Sequence, residues 1–345
     1  MPPLKLTVAQ YATSHTLEET LSKIRVITIM AASEGTNLIL FPEAFLGGYP
    51  RTSTFGASIG SRTTTGRKQY HEYWTQAVDL GDTHPDGLGV YDAPGDGTRE
   101  FLESLAKDTG VFLVVGVVEK VGATLFCAVV FVCPRGGIVG KRRKVMSGGD
   151  KTGTERVVWG TGSPKALKAI KTEIAGQKVT LGAAICWENY MPLLRATLYT
   201  QNTNIYLAPT ADARSSWIST MQHIALEGRC YVLGCNQFVT NRTLPPFADD
   251  TAASLQTDGA VVDIAEESVL CNGGSVVFGP MGEVLAGPLW GKEGKLSVVV
   301  EDLEGDIVKA KMDFDVGLSG HYSRSDVFKL EVMGLELEKT LCPVS

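Results

Sequence analysis

Val179-Thr180-Leu181-Gly182-Ala183-Ala184-Ile185-Cys186-Trp187-Glu188-Asn189 is a largely apolar run, uncharged as far as its thiol, that then turns polar. Its first seven residues read as a buried strand. Leu193 to Tyr199 then has helical spacing, so Cys186 stands where a strand ends and a helix is about to begin. The change of period repeats downstream. Thr203 to Ala208 is a strand, Trp217 to Gly228 a helix and Cys230 to Gly234 a strand, and Ser275 to Phe278 and Leu296 to Val300 close the set.

The first half has the same rhythm. Leu4 to Ala9 alternates as a strand, and Leu17, Leu21, Ile24, Ile27 and Ala31 recur at helical spacing behind Ser14 or Thr16 as a cap. Asn37 to Phe41 is a strand that stops at Pro42. Phe101, Leu102 and Leu105 mark a helix, and Val111 to Val118 and Thr124 to Cys133 are β-rich. Pro134-Arg135-Gly136-Gly137 then turns the chain into Ile138-Val139-Gly140 as a hairpin. Such alternation indicates an α/β layer protein, and two similar halves predict two facing sheets with helices outside. No linker interrupts the pattern, so residues 1–345 are expected to form a single domain. Residues 51–96 and 240–272, rich in Gly, Thr, Asp and Pro, read as long loops: lids, interface arms or plain surface insertions.

Composition narrows the function. Of 345 residues 44% are hydrophobic and 20% charged, and 32 Lys+Arg against 38 Asp+Glu gives 32 − 38 = −6, which excludes disorder for most of the chain. The longest basic run is Lys141-Arg142-Arg143-Lys144, too short a footprint for a phosphate backbone, so no nucleic acid partner is expected. No apolar stretch approaches the roughly 20 residues that span a bilayer. The start, Met1-Pro2-Pro3-Leu4-Lys5-Leu6, has no charged-then-apolar leader, and the expectation is a soluble cytoplasmic protein without a membrane partner. Seven scattered cysteines read as free thiols, and five distant histidines show no metal-ligand spacing, so no metal is expected.

The chemistry concentrates at strand ends, where α/β sheets place ligands. A helix start beside Cys186 is expected to favour the thiolate, against the alternative of an inert buried thiol. Glu43, in Phe41-Pro42-Glu43-Ala44-Phe45, follows a strand in apolar company that would raise its pKa and suit it to passing protons. The basic run ending at Lys144 offers a fixed cation, or else a solvated edge strand.

Glu43, Lys144 and Cys186, in this chain order, resemble the Glu-Lys-Cys triad of the nitrilase superfamily of carbon-nitrogen hydrolases. Phe41-Pro42-Glu43 through Gly48-Tyr49-Pro50, Arg143-Lys144 and Cys186-Trp187-Glu188-Asn189 are similar to the nitrilase branch, closest in look to fungal and yeast-type members. Ala208 to Asp212, Trp217 with His223 to Gly228, Gly273-Gly274-Ser275 and Gly320 to Phe328 extend the likeness. The resemblance implies a four-layer α-β-β-α sandwich, a homodimer or higher homo-oligomer such as a spiral, and a segment from about 312 to 345 acting as interface arm or tail.

The resemblance also implies the reaction. An organic nitrile is hydrolysed to a carboxylic acid and ammonia through a thioimidate and thioester on Cys186, with no cofactor. Glu43 moves the protons; Lys144 and the Trp187 backbone N–H stabilise the tetrahedral species. Glu155 matches an assisting second glutamate, and Tyr49 and Trp187 match positions lining the substrate pocket. His223 is expected to be a structural hydrogen-bonding residue. An amidase or amide-forming relative with the same site, and a catalytically impaired assembly homologue, are the alternatives. The last is prompted by departures from the family pattern: Arg142 stands where His is usual and Ser147 where Pro is usual. About four extra residues fall within Ser147 to Lys151, and Gly160 to Pro164 lacks an acidic residue.

Overall fold

The computed structural model describes residues 2–51, 53–81, 94–147, 155–212, 214–245, 247, 256–257, 260–261, 268–317 and 320–336. One sheet takes β1 (Leu4–Gln10), β2 (Leu38–Leu40), β3 (Phe112–Val121), β4 (Thr124–Cys133) and β5 (Gly137–Arg143). The other takes β6 (Ile170–Ile174), β7 (Gln177–Ala183), β8 (Ile205–Pro209), β9 (Tyr231–Cys235), β10 (Phe238–Thr240), β11 (Val269–Phe278) and β12 (Val284–Trp290). The chain then returns: β13 (Gly294–Val300) pairs antiparallel with β1, Leu4 opposite Val300. The sheet orders are β13-β1-β2-β3-β4-β5 and β10-β11-β9-β8-β7-β6, with β12 on β11. The helices are α1 (Leu17–Ser33), α2 (Thr64–Gln76), α3 (Thr98–Thr109), α4 (Pro192–Tyr199), α5 (Ser216–Gly228) and α6 (Leu303–Asp313).

Strand alternation sorts the apolar side chains into three layers of core. Phe112, Val114 and Val118 of β3 meet Val179, Leu181, Leu207 and Leu233 of the opposite sheet in the central layer. Leu113, Val115 and Val117, on the other face of β3, pack on Ile24, Ile27, Leu102 and Leu105 of α1 and α3. Tyr206, Val232 and Phe278 pack on Leu194, Leu198, Trp217 and Ile224 of α4 and α5. Helix, sheet, sheet, helix is the four-layer sandwich predicted. The α1 start is a capping box: Glu19 N donates to Thr16 Oγ1 at 3.2 Å and Thr16 N to Glu19 Oε2 at 3.1 Å.

The loop reading of residues 51–96 is corrected by α2. Its polar opening, Thr64-Thr65-Gly66-Arg67-Lys68, hides the helical period, and tertiary contacts fix it instead. Gly66 N donates to Thr63 Oγ1 at 3.0 Å, and a Cβ on Gly66 would stand 2.0 Å from Phe55 O, so the helix lies directly on the Phe55 backbone. Tyr73 fills the layer beneath, between Phe55 and Phe247. In 240–272, β11 already begins at Val269, whereas the apolar pattern becomes visible only after the Gly273-Gly274 pair. Of the two predicted loops, residues 52, 82–93, 246, 248–255, 258–259 and 262–267 lie outside the described residues, while the two-residue strands Ala57–Ser58, Ser61–Arg62, Gln256–Thr257 and Ala260–Val261 are described. Strands β6 and β12 and helix α6 also escaped the sequence reading. Among the described residues no helix is long and apolar enough to cross a membrane.

Candidate active site

Glu43 follows the last ladder bond of its strand. Phe41 N still donates to Val114 O at 2.8 Å, Pro42 then ends the pairing, and Ala44 takes the left-handed conformation at φ +50°. The turn presses on β3 at Gly116, where a Cβ would stand 2.0 Å from Pro42 O, so only glycine allows the approach. Gln237 Nε2 donates to Glu43 O at 2.9 Å, and the carboxylate points into the interior with no exposure.

The basic run is buried throughout, which overturns its reading as a solvated edge strand. Each cation has a carboxylate to justify burial. Alternation sends Lys141 and Arg143 to Glu119, with Arg143 Nε donating to Oε2 at 2.7 Å, while Arg142 pairs with Glu188. Lys144 extends past β5, its N–H donating to Cys127 O at 2.7 Å and its carbonyl accepting from Gly162 N at 2.8 Å. Lys144 Nζ donates to Glu43 Oε1 at 2.6 Å and to Glu155 Oε2 at 2.9 Å.

Cys186 closes the site from the second sheet. Ala184 N still donates to Leu207 O at 3.0 Å, and two residues later Cys186 adopts φ +50°, a conformation that bulky residues avoid unless the surroundings impose it. Asn189 Nδ2 imposes it by donating to Ala184 O at 2.9 Å and Cys186 O at 2.8 Å, while Glu188 Oε2 accepts from Ile185 N at 2.8 Å. The elbow delivers the thiol into the buried interior beside Glu43, close enough for each group's charge to act on the other.

The electrostatics correct one expectation. Burial, and then the charge of Glu43, push the Cys186 thiol well above the ordinary thiol value, so the resting group is a thiol and not a thiolate. The element after it is a single 3₁₀ turn, Cys186–Tyr190, and its dipole is outweighed by burial beside carboxylates. Burial also raises Glu43, with Lys144 partly opposing. Burial works against the Lys144 charge, but Glu43, Cys186 and Glu155 together outweigh it and hold the ammonium well above the usual lysine value.

Glu155 lies in the cluster, not in a surface ion pair: it is 5% exposed, opens the one-turn helix Glu155–Val158, and also accepts from Tyr49 OH at 2.7 Å. Tyr49 thus touches the charged cluster and stands edge-on to Trp159 at 5.6 Å. Trp187 is half-buried in a neighbouring group, edge-on to Tyr190 and under the Arg214 guanidinium at 4.3 Å, which Asp212 holds. His223 is exposed, with Nε2 3.7 Å from Glu227 Oε1, beyond the hydrogen bond expected of it.

The departures leave Lys144 in place. Arg142 finds Glu188, whose Oε1 also accepts from Val145 N at 2.7 Å and Met146 N at 3.1 Å, clamping the end of β5 to the elbow. The Gly160 to Pro164 turn supports Lys144 by backbone, through Gly162 N. Ser147 O accepts from Arg156 Nε at 3.4 Å, and the expected insertion at 148–151 lies outside the described residues. Cys127, Trp159, Gln237 and Asn189 were not singled out from sequence. Cys127 Sγ lies 3.5 Å from Glu43 Oε1, and Lys144 Nζ lies 5.6 Å from the Trp159 ring centre. For Cys127 the signal was available: it shares the inward face of β4 with Leu125 and Val129. Among the described residues no group of three or more His, Cys, Asp or Glu side chains is arranged to hold a metal ion.

Comparison with known proteins places this geometry. Residues 5–311 match the carbon-nitrogen hydrolase family. A bifunctional nitrilase/nitrile hydratase NIT4A of Lupinus angustifolius is 41% identical over 333 residues, covering 96% of this chain and 86% of the relative. An arylacetonitrilase of Trametes versicolor is 40% identical over 341 residues, covering 95% and 96%. An aliphatic nitrilase of Sinorhizobium fredii is 39% identical over 318 residues, covering 92% and 90%. A carbon-nitrogen hydrolase from Helicobacter pylori G27 shares the fold at TM-score 0.64 and 18% identity, over 91% of this chain and 94% of that one. Sandwich, motif order and relatives agree: the chain belongs to the carbon-nitrogen hydrolase family, in its nitrilase branch.

Proposed function

We propose that this chain hydrolyses an organic nitrile to a carboxylic acid and ammonia, with Cys186 as nucleophile. The observation that carries the reading is one buried cluster in which Lys144 Nζ lies 2.6 Å from Glu43 Oε1 and 2.9 Å from Glu155 Oε2, with Cys186 buried within reach of the Glu43 charge. The relatives named nitrilases supply the substrate class.

Glu43 takes the proton of Cys186 as sulfur attacks the nitrile carbon. One C–N π bond breaks, and Glu43 returns the proton to the nitrogen, giving a thioimidate. A water deprotonated by Glu43 adds to that carbon. Collapse of the adduct breaks the C–N bond and releases ammonia, leaving a thioester. A second water, activated in the same way, breaks the C–S bond, frees the acid and restores the thiol. Lys144 and the Trp187 backbone N–H stabilise the charge that develops on nitrogen and then on oxygen. Glu155, held by Tyr49, fixes Lys144. Trp187 lines the pocket beside the elbow. Substrate plus two waters accounts for both products without a cofactor.

The same reading covers the assembly and setting. The chain works as a single domain in a homodimer or higher homo-oligomer, supported by exposed Leu193 and Leu226 on α4 and α5. The segment from 312 onward serves as an interface arm, supported by exposed Val327, Phe328 and Met333. A reducing, cytoplasmic setting fits the free thiols Cys127, Cys133, Cys186, Cys230, Cys235 and Cys271. Ammonia release over a panel of arylaceto-, aromatic and aliphatic nitriles, beside Cys186→Ala, tests the function. Release by the native protein and its loss in the variant is expected; no release from any nitrile contradicts it.

A further inference from the structure

Cys127 is a buried thiol that the steps above leave unused. It pairs with Val118 across β3 and β4, and alternation turns it between the two sheets. Its carbonyl accepts from Lys144 N at 2.7 Å, and its S–H donates to Glu43 Oε1 at 3.5 Å. One residue therefore touches both charged partners of Cys186, through its backbone and its side chain.

The bond to Glu43 is one-sided. Lys144 Nζ and Cys127 Sγ both donate to Oε1, whereas Oε2 is fully buried and has no hydrogen-bond donor among the described residues. In water the two oxygens of a carboxylate are interchangeable. Two donors on Oε1 gather charge there, prevent rotation of the group, and leave the lone pairs of Oε2 open.

We propose that Cys127 is a positioning residue which, with Lys144, occupies Oε1 of Glu43 and leaves Oε2 to exchange the proton with Cys186. The proposal rests on the hydrolase reading above. The proton moves from Cys186 sulfur to Oε2 and on to the substrate nitrogen; the proton of Cys127 stays in place throughout. Burial, and then the Glu43 charge, hold Cys127 well above the ordinary thiol value, so it remains a donor. Lys144 from the end of β5, Glu155 from the one-turn helix, Cys186 from the elbow, Cys127 from β4, and Tyr49 and Tyr73 are the charged and titratable groups that act on Glu43. A donor to the ionised form lowers a carboxyl pKa, so loss of the thiol raises the Glu43 value.

Cys127→Val fills the space without a donor, and Cys127→Ser keeps a donor. The acid limb of kcat/KM for ammonia release is expected to move up by about half a pH unit in Cys127→Val, with kcat down on the order of threefold and KM little changed. Cys127→Ser is expected to restore the limb. Equal limbs in all three proteins, or equal displacement in both variants, would overturn the proposal, because a packing role makes no distinction between donor and non-donor. Where Cys127→Val does not fold, Cys127→Ala takes its place. Alkylation of Cys186 by iodoacetamide against pH reads the same carboxylate without turnover. A native protein that releases no ammonia thus defeats the hydrolase reading, while the displacement between variants still decides the role of Cys127.

Discussion

Lys144 Nζ donates to Glu43 Oε1 at 2.6 Å in a place where neither side chain reaches solvent. One ammonium serves two carboxylates there, since Glu155 accepts from it as well. Removing the cation leaves like charges buried together, a change that costs about 3–5 kcal/mol when a buried pair is broken. Lys144→Met is therefore expected to lower the denaturant midpoint clearly and to reduce ammonia release at least about a hundredfold, the scale of losing one charge-stabilising donor. A folded Lys144→Met with near-native turnover would remove the cation from the mechanism.

Glu43 predicts a pH dependence. Its value in the folded protein stands above the ordinary 4.5 because burial outweighs Lys144. A carboxyl raised on folding contributes stability that is present below about pH 4.5 and lost as pH rises through the folded value. Glu43→Gln does not titrate, so the stability difference between variant and native protein is expected to shift toward the variant as pH rises above about 4.5 in urea unfolding. The acid limb of turnover is expected above the range of a solvated carboxylate. A limb near 4 would contradict the assignment.

Cys186 is held as a thiol, not a standing thiolate. Its alkylation by iodoacetamide is expected to be slow at neutral pH and slower still in Glu43→Gln, which has no base to accept the proton. Rapid, pH-independent alkylation between pH 6 and 8 would show a preformed thiolate and return the helix terminus to the account.

Arg142 and Glu188 form the brace between the two strand ends. Glu188 accepts from Ile185, Val145 and Met146 backbone N–H groups besides Arg142, so Glu188→Ala orphans three backbone donors and a buried cation. That loss is expected to exceed about 4 kcal/mol, beyond the range of ordinary substitutions. Arg142→Met leaves the backbone bonds intact and is expected to cost less. Chemical denaturation ranks the two, and the reverse order would show that the ion pair and not the backbone clamp holds the elbow.

How much of this was legible in the sequence follows from which signals are local. Strand ends at Phe41 and Ile185 are marked by Pro42 and by a break in the apolar run, so Glu43 and Cys186 could be placed at the tips of strands. Lys144 and Glu155 were named by motif, but their burial could not be read, because it depends on partners more than 100 residues away in the case of Glu43. The thiolate expectation for Cys186 failed for the same reason. A local helix start suggests a positive pole, while the dominant effects, burial and the Glu43 charge, arise from the other sheet. Helix α2 was lost among polar residues, since Phe55 and Phe247 supply its apolar contacts from either side in sequence.

Intact-protein and peptide mass spectrometry, after acid quench during turnover of a nitrile, asks whether Cys186 carries the acyl group. A covalent acyl or imidoyl adduct on the peptide carrying Cys186, absent in Cys186→Ala, is the expected result. An adduct on Cys127 instead, or undiminished ammonia release by Cys186→Ala, would contradict it.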